Sequence, residues 1–225
     1  MPQFFISSKE QMSPTERDYS ETARYLGYQK LTVPDEQISI LIKQGVHELL
    51  EIIQPQAVYE FFPVQVEYDE AAEKGRVSFS DVTINSKDLA RNLRNCDGVY
   101  IFASTLGAST DALIRRTQHT DSVKAAVLQA AGAMYIEKFV DILNQKIKDD
   151  VAAAGKQTQP RFSPGFGDVD LSVQKDFFRL LPCTRIGLSL MDTLIMSPEK
   201  SVTAFIGVLR PFDKLRTTQA QEPLS

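Results

Sequence analysis

Residues 98–103, Gly-Val-Tyr-Ile-Phe-Ala, are a continuous apolar stretch of the length of one β-strand. A strand that is apolar at successive positions is typical of a sheet interior, where both of its faces are covered. The polar residues Ser104 and Thr105 follow, and Gly107 ends the pattern. We therefore predict that residues 98–103 form the central strand of a sheet.

Further strand patterns lie on both sides of this stretch. β-Branched and aromatic residues recur at positions 58–66 and 77–84, and Asp69–Gly75 is the predicted turn between them. Pro63 interrupts the first run, which predicts an edge or a bend there. Two more strands are predicted at residues 185–190 and 201–208, as a hairpin in which Pro198–Ser201 makes the turn.

Capping residues mark the predicted helices. The capping-box pattern Ser13-Pro14-Thr15-Glu16 predicts a helix that runs to Leu26 and stops at Gly27. Asp35 begins an amphipathic helix, Ser86 caps a short one, and residues 111–117 form another.

The longest helix is predicted from Thr120-Asp121 to Lys148, and the polar segment 149–159 after it is read as a surface loop. Helices and hairpin-like strand pairs follow one another without a regular βαβ alternation, which favours an α+β fold with a mainly antiparallel sheet. We expect residues 1–210 to form one domain and residues 211–225 to be a frayed tail.

Composition excludes several classes of protein. The 225 residues carry 25 Lys and Arg against 29 Asp and Glu, a net charge of −4, which argues against a nucleic-acid binder. No apolar run approaches the roughly 18–20 residues of a membrane span. The start of the chain, MPQFFISSKE, lacks the pattern of a secretory leader, so we expect a cytoplasmic protein.

The cysteines and histidines of the chain do not favour a metal site or a catalytic histidine. The two cysteines, Cys96 and Cys183, belong to no Cys-x-x-Cys motif, and His47 and His119 are the two histidines of the chain. This set does not make a structural zinc or iron–sulfur site, and we expect both thiols to be reduced. His47 lies within an amphipathic helix and His119 in a helix connection, so neither is expected to be catalytic.

The most unusual segment is Arg161-Phe162-Ser163-Pro164-Gly165-Phe166-Gly167-Asp168. Glycine lets the backbone approach a ligand closely, Arg161 can hold a carboxylate or phosphate with two parallel hydrogen bonds, and the phenylalanine rings offer faces for a planar group. An ordinary Gly/Pro turn explains the same composition. The residues alone leave both interpretations open.

Three ordered motifs decide in favour of a resemblance. RFSPGF at 161–166, IGLSLMDT at 186–193 and PEKSVT at 198–203 are similar to the patterns R-x-x-P-G-[YF], I-G-[VL]-x-L-[TM]-[ED]-[ST] and P-x-[KA]-S-V-[ST]. These patterns belong to the activation (reactivation) domain of cobalamin-dependent methionine synthase. The segment TLGASTDALIRRTQHTD, residues 105–121, and the long helix also resemble stand-alone members, so the resemblance covers about residues 15–209.

The resemblance implies a single C-shaped domain with a curved sheet that binds S-adenosylmethionine. It implies a role in reductive methylation, in which oxidised cob(II)alamin on a separate methionine synthase core or other corrinoid protein is restored to methylcobalamin. The electron would come from a flavodoxin-like donor. The transferred methyl group needs no general acid or base, so no catalytic residue is expected in this chain. A corrinoid-protein docking module and an S-adenosylmethionine sensor are the alternatives.

The resemblance also assigns ligand roles residue by residue. It gives Arg161 to the ligand carboxylate, and Ser163, Pro164 and Gly165 to backbone contacts with the adenosyl group. Phe166 stands where tyrosine is usual, so the ring is kept and the hydroxyl is lost. Glu137 matches an acid of the family site and would bind the ammonium or a ribose hydroxyl, the alternative being a solvated helix charge. An aspartate near the amino-terminal edge and a tyrosine near the carboxyl end of the family have no clear match here.

Overall fold

The computed structural model describes residues 1–29 and 34–210 of the chain. This part forms seven α-helices: α1 Lys9–Met12, α2 Glu16–Tyr25, α3 Glu36–Leu50, α4 Lys87–Leu93, α5 Ala108–Gln118, α6 Ser122–Ala153 and α7 Gln174–Leu180. It forms eight strands: β1 Gln3–Ile6, β2 Gln56–Asp69, β3 Lys74–Phe79, β4 Val82–Asn85, β5 Cys96–Thr105, β6 Ser189–Leu190, β7 Met196–Ser197 and β8 Ser201–Leu209. The predicted α+β class is confirmed.

The main sheet has the strand order β4-β3-β2-β5-β8, and β1 adds to β2 beside this path. Every pairing among the described strands is antiparallel. The predicted central strand, residues 98–103, lies within β5, between β2 and β8. Its side chains alternate between two cores, Phe102 on one face and Ile101 on the other, which explains why the whole run is apolar.

Pro63 lies at a local edge of β2, as its chemistry requires. On one side of β2, β1 pairs with residues 56–59 and β3 pairs with residues 64–69. Residues 60–63 fall between these two partners and pair with β5 on the other side. A residue without an N–H group is tolerated at such a gap.

The two cores lie on opposite faces of the sheet. The first core packs the sheet against α2, α3, α5 and α6. The second core packs the other face against α4 and α7 and the turn after α7. Phe205 of β8 lies in the second core, and its neighbour Ile206 lies in the first.

The long helix α6 begins where the sequence predicts, because Asp121 accepts a hydrogen bond from the backbone N–H of Lys124. It ends at Ala153, so the prediction of a loop from residue 149 is wrong for residues 149–153. The buried side chain of Val151 continues the apolar face of α6 for another turn. The polar residues that suggested a loop lie on the exposed face, where Lys146 pairs with Asp150.

The start of α2 differs by two residues from the prediction. Thr15, rather than Ser13, is the N-cap, and Asp18 accepts a hydrogen bond from the Thr15 N–H at 2.7 Å. The predicted caps Asp35 and Ser86 are confirmed, and each accepts a hydrogen bond from the backbone N–H three residues later. The strand β1 and the helix α1 are not among the elements predicted from the sequence.

The predicted hairpin near the carboxyl end is only partly correct. Residues 183–186 form a 3₁₀ turn that ends at Gly187 with φ 68°, so the predicted strand is reduced to Ser189–Leu190. Its partner is Met196–Ser197, and residues 191–195 make the turn in place of Pro198–Ser201. The predicted strand 201–208 is confirmed as β8, although it pairs with β5.

Three of the predictions are neither confirmed nor contradicted by the described residues. The frayed tail, residues 211–225, lies outside the described residues, and the C-shape and the domain boundary stay predictions.

Cys96 and Cys183 are free and buried, and burial raises the pKa of each thiol to about 12. Within residues 1–29 and 34–210, none of the helices combines the length and the apolar character that a membrane crossing requires.

Candidate functional site

The segment that carries Arg161 runs beside the outer edge of β8. Gln159 donates its N–H to the Gly207 carbonyl at 2.8 Å, and the backbones of Phe162 and Phe205 exchange two hydrogen bonds of 2.9 and 2.7 Å. Because side chains alternate along an extended segment, Phe162 packs on the second core and Arg161 is directed to the other side. The strand-like pairing therefore fixes which way Arg161 points.

Arg161 meets two acids of α6. Its Nη2 donates to Glu137 Oε2 at 2.5 Å, and its Nη1 donates to Asp141 Oδ1 at 3.0 Å. Glu137 and Asp141 are four residues apart, so both carboxylates lie on one face of the helix. The structure thus brings together Arg161 and Glu137, two of the residues predicted for the site. In this arrangement the guanidinium is already paired.

The loop after Arg161 is a compact turn. Phe166 donates its N–H to the Ser163 carbonyl at 3.2 Å, and Gly165 donates to the Val169 carbonyl at 2.9 Å. Gly165 has φ 87°, a conformation that favours glycine. Pro164 is buried, whereas the Phe166 ring is 67% exposed. The hydrogen bonds are those of an ordinary Gly/Pro turn, and the turn presents one aromatic ring to the surface.

Asp168 anchors this turn to the start of α4. It accepts hydrogen bonds from the Ser86 hydroxyl, from the Lys87 N–H at 2.7 Å and from the Asp88 N–H at 3.2 Å. Burial alone would raise the pKa of Asp168, but these donors outweigh it and hold the pKa below the usual 3.8. The carboxylate thus locks two segments that are about 80 residues apart in sequence.

Replacing Asp168 with alanine is expected to lower the free energy of unfolding by about 1–2 kcal/mol, the usual contribution of a capping side chain. Because the folded pKa is depressed, the stabilisation is present above pH 3.8 and is lost as the pH falls through the folded value. Urea denaturation at neutral pH and at pH 3 measures both effects. Asp192→Ala is the control, since Asp192 is exposed and has no hydrogen-bond partner among the described residues; equal effects of the two variants would contradict the anchoring role.

A groove of about 490 Å³ opens beside the ion pair, between α2 and α6. Glu137 and Asp141 line it from α6, and Tyr25 and Arg17 line it from α2. At its floor Lys138 and Asp18 form a largely buried ion pair of 2.6 Å. The loop residues 163–166 do not line this groove. Within the described ranges, no cluster of three or more His, Cys, Asp and Glu side chains is arranged to bind a metal ion.

Comparison with solved structures finds chains of similar fold, whereas comparison of the sequence finds none. No protein-family model matches the chain, and no curated protein does. The crystal structure of the MetH reactivation domain bound to AdoHcy is similar to it, with a TM-score of 0.61 over 92% of this chain and 78% of that chain. This chain has the fold of that reactivation domain. The identity of 17% makes it a likeness of fold.

Two residues of the site, Asp141 and Asp168, were not predicted from the sequence. Asp141 gave a usable signal, because it follows Glu137 by one helical turn and therefore shares its face. Asp168 gave no such signal beyond its position at the end of the segment 161–168, since its partners Ser86 and Lys87 are far away in sequence.

Proposed function

We propose that this protein binds S-adenosylmethionine at the Arg161–Glu137 pair. The observation that carries the proposal is the meeting of these two side chains, which come from separate segments and were both predicted as ligand residues. A guanidinium beside a carboxylate complements the carboxylate and ammonium of an amino-acid ligand. The shared fold with a solved domain that is bound to AdoHcy supports the same ligand class.

Binding would exchange one set of ion pairs for another. The ligand carboxylate would replace Glu137 and Asp141 on Arg161, and the ligand ammonium would take Glu137. The exposed ring of Phe166 offers a face for the adenine, with Ser163, Pro164 and Gly165 supplying the turn that presents it. The groove between α2 and α6 gives room beside Glu137 and Asp141, and the adenine would lie outside it, since residues 163–166 do not line it.

We further propose that the bound ligand serves reductive methylation on a separate corrinoid protein, either a methionine synthase core or a related carrier. The sulfonium supplies an electrophilic methyl group, and cobalamin on the partner receives it with an electron from a flavodoxin-like donor. The residues of this chain hold and orient the methyl donor, and no proton has to move at any of them. This agrees with a site that consists of an ion-pair cluster and a turn.

Calorimetric titration with S-adenosylmethionine tests the binding step. We expect saturable binding by the wild type and a loss of about 10–100-fold in affinity for Arg161→Ala, the usual range for hydrogen bonds to a charged group. Arg179→Ala is the matched control, because Arg179 also pairs with two carboxylates, Asp81 and Asp176, but on α7. Absence of wild-type binding, or equal affinities for the wild type and Arg161→Ala, would contradict the proposal.

The second step needs the partner. Purified protein, S-adenosylmethionine, a reductant and a corrinoid protein in the cob(II)alamin state are expected to give methylcobalamin, which the visible spectrum reports. The same mixture with Arg161→Ala is expected to react more slowly at limiting ligand. Complex formation without ligand binding would identify a docking module, and tight ligand binding without methyl loss would identify a sensor.

A further inference from the structure

Arg161 pairs with two acids, Glu137 and Asp141. The proposed ligand contacts give Glu137 a new partner, the ligand ammonium, and leave Asp141 without one. Glu137 and Asp141 together carry two negative charges against one positive charge on Arg161. The other close carboxylates of the groove have cations of their own, since Asp18 pairs with Lys138 and Glu21 with Arg24. Glu137 and Asp141 therefore share the single cation Arg161.

S-Adenosylmethionine has the complementary surplus. It carries a carboxylate, an ammonium and a sulfonium, whereas S-adenosylhomocysteine carries only the first two charges. When Arg161 takes the carboxylate and Glu137 takes the ammonium, the unpaired charges are the sulfonium on the ligand and Asp141 on the protein. This charge count rests on the proposed function, because it uses the ligand assigned there.

We propose that Asp141 is the counter-charge of the sulfonium and makes the site prefer the methyl donor to its demethylated product. Asp141 is a specificity-determining residue in this role and does not have to touch the reacting methyl group. The preference would help the product leave after transfer, since loss of the methyl cation removes the charge that Asp141 attracts.

Covalent geometry keeps the two charges near each other. Asp141 Oδ1 is 3.0 Å from Nη1 of Arg161, and the guanidinium of Arg161 would hold the ligand carboxylate. In the ligand the sulfur is at most about 5 Å from the carboxylate carbon, since four single bonds separate them. The sulfonium therefore lies within about one Debye length of Asp141, close enough for an unscreened part of the attraction to remain.

The effect is moderate, because the Asp141 side chain is 66% exposed. Arg17 lines the opposite wall of the groove, and its positive charge would oppose the attraction between Asp141 and the sulfonium. For charges about 8–10 Å apart at a partly solvated site, Coulomb's law gives a discrimination of about two- to five-fold.

The test is the ratio of two dissociation constants, S-adenosylhomocysteine over S-adenosylmethionine, measured by calorimetry at low salt. We expect Asp141→Asn to lower this ratio by about two- to five-fold relative to the wild type. The amide keeps the shape of the side chain and an acceptor oxygen for Arg161. A merely structural role would weaken both ligands equally, because they differ only at the sulfur, and would leave the ratio unchanged.

Asp149→Asn is the matched control. Asp149 is an exposed acid of the same helix, eight residues after Asp141 and about 12 Å further along the helix axis. We expect its ratio to equal that of the wild type, and we expect the wild-type ratio to fall as salt is added. An unchanged ratio in Asp141→Asn, or the same fall in both variants, overturns the inference and leaves the proposed function standing. Failure of the wild type to bind either ligand overturns both.

Discussion

Replacing Phe205 with alanine is expected to lower the free energy of unfolding by about 3–5 kcal/mol, the usual cost of truncating a fully buried phenylalanine. Phe205 has no exposed surface. Its ring lies edge to face with Phe177 of α7, at 4.8 Å between centroids, and with Phe79 of β3, at 6.0 Å. The side chain thus joins three separate elements of the second core, and the cavity left by its removal would disrupt all of these contacts.

Urea denaturation of the wild type, Phe205→Ala and Phe166→Ala measures this prediction. The chemical change is the same in the two variants, but Phe166 is 67% exposed. We expect Phe166→Ala to lie within about 0.5 kcal/mol of the wild type, as exposed substitutions usually do. Equal losses in the two variants would contradict the assignment of Phe205 to the core.

The second large effect concerns the ion pair that joins α2 to α6. Lys138 Nζ donates to Asp18 Oδ2 at 2.6 Å and to the Ser13 carbonyl at 2.7 Å, while Thr15 donates its N–H to the same carboxylate at 2.7 Å. Asp18→Ala would remove the capping partner of Thr15 and leave the Lys138 ammonium largely buried without its anion. We expect a loss of about 2–4 kcal/mol, somewhat below the range for a fully buried pair.

The pKa of Asp18 gives this prediction a pH dependence. Burial alone would raise the pKa, but the hydrogen bonds from Lys138 and Thr15 outweigh it and lower the pKa from 3.8. A depressed folded pKa means that the stabilisation is complete well above pH 3.8 and disappears as the pH falls through the folded value. The difference between wild type and Asp18→Ala is therefore expected to shrink in acid.

Asp150→Ala is the matched control for Asp18→Ala. Asp150 pairs with Lys146 at the same 2.6 Å, but on the exposed face of α6. An exposed pair of this kind contributes about 0.3–0.5 kcal/mol. If urea denaturation gives similar losses for the two variants, burial does not strengthen the Asp18–Lys138 pair.

Local signals predicted most of the fold. The apolar run at 98–103 became the inner strand β5, and Asp35, Ser86 and Asp121 cap the helices that they were predicted to cap. These predictions succeeded because a cap or a buried strand is determined by residues that are close in sequence. The prediction of a strand over residues 185–190 failed because alternating apolar residues in so short a segment also fit a 3₁₀ turn, and Gly187 with its positive φ ends that turn and leaves only Ser189–Leu190 as a strand.

The residues of the candidate site also differ in how far they could be predicted from the sequence. Arg161 and Glu137 were predicted from a resemblance, and their contact at 2.5 Å could be found only in the folded chain, since it joins α6 to the segment beside β8. The roles of Asp141 and Asp168 depend on where those elements meet. Long-range pairs of this kind leave no periodicity in the sequence, which is why the residue types suggested a ligand chemistry but not which side chains would meet.

The alternation of Arg161 and Phe162 along β8 has a consequence for how this protein can diverge. One of the two side chains is needed at the ion-pair cluster and the other in the second core. A shift of one residue in the pairing of this segment with β8 would exchange the two faces, burying a guanidinium and exposing a phenylalanine. The spacing of this segment against β8 therefore serves the second core and the ion-pair cluster together, and divergence is expected to preserve that spacing.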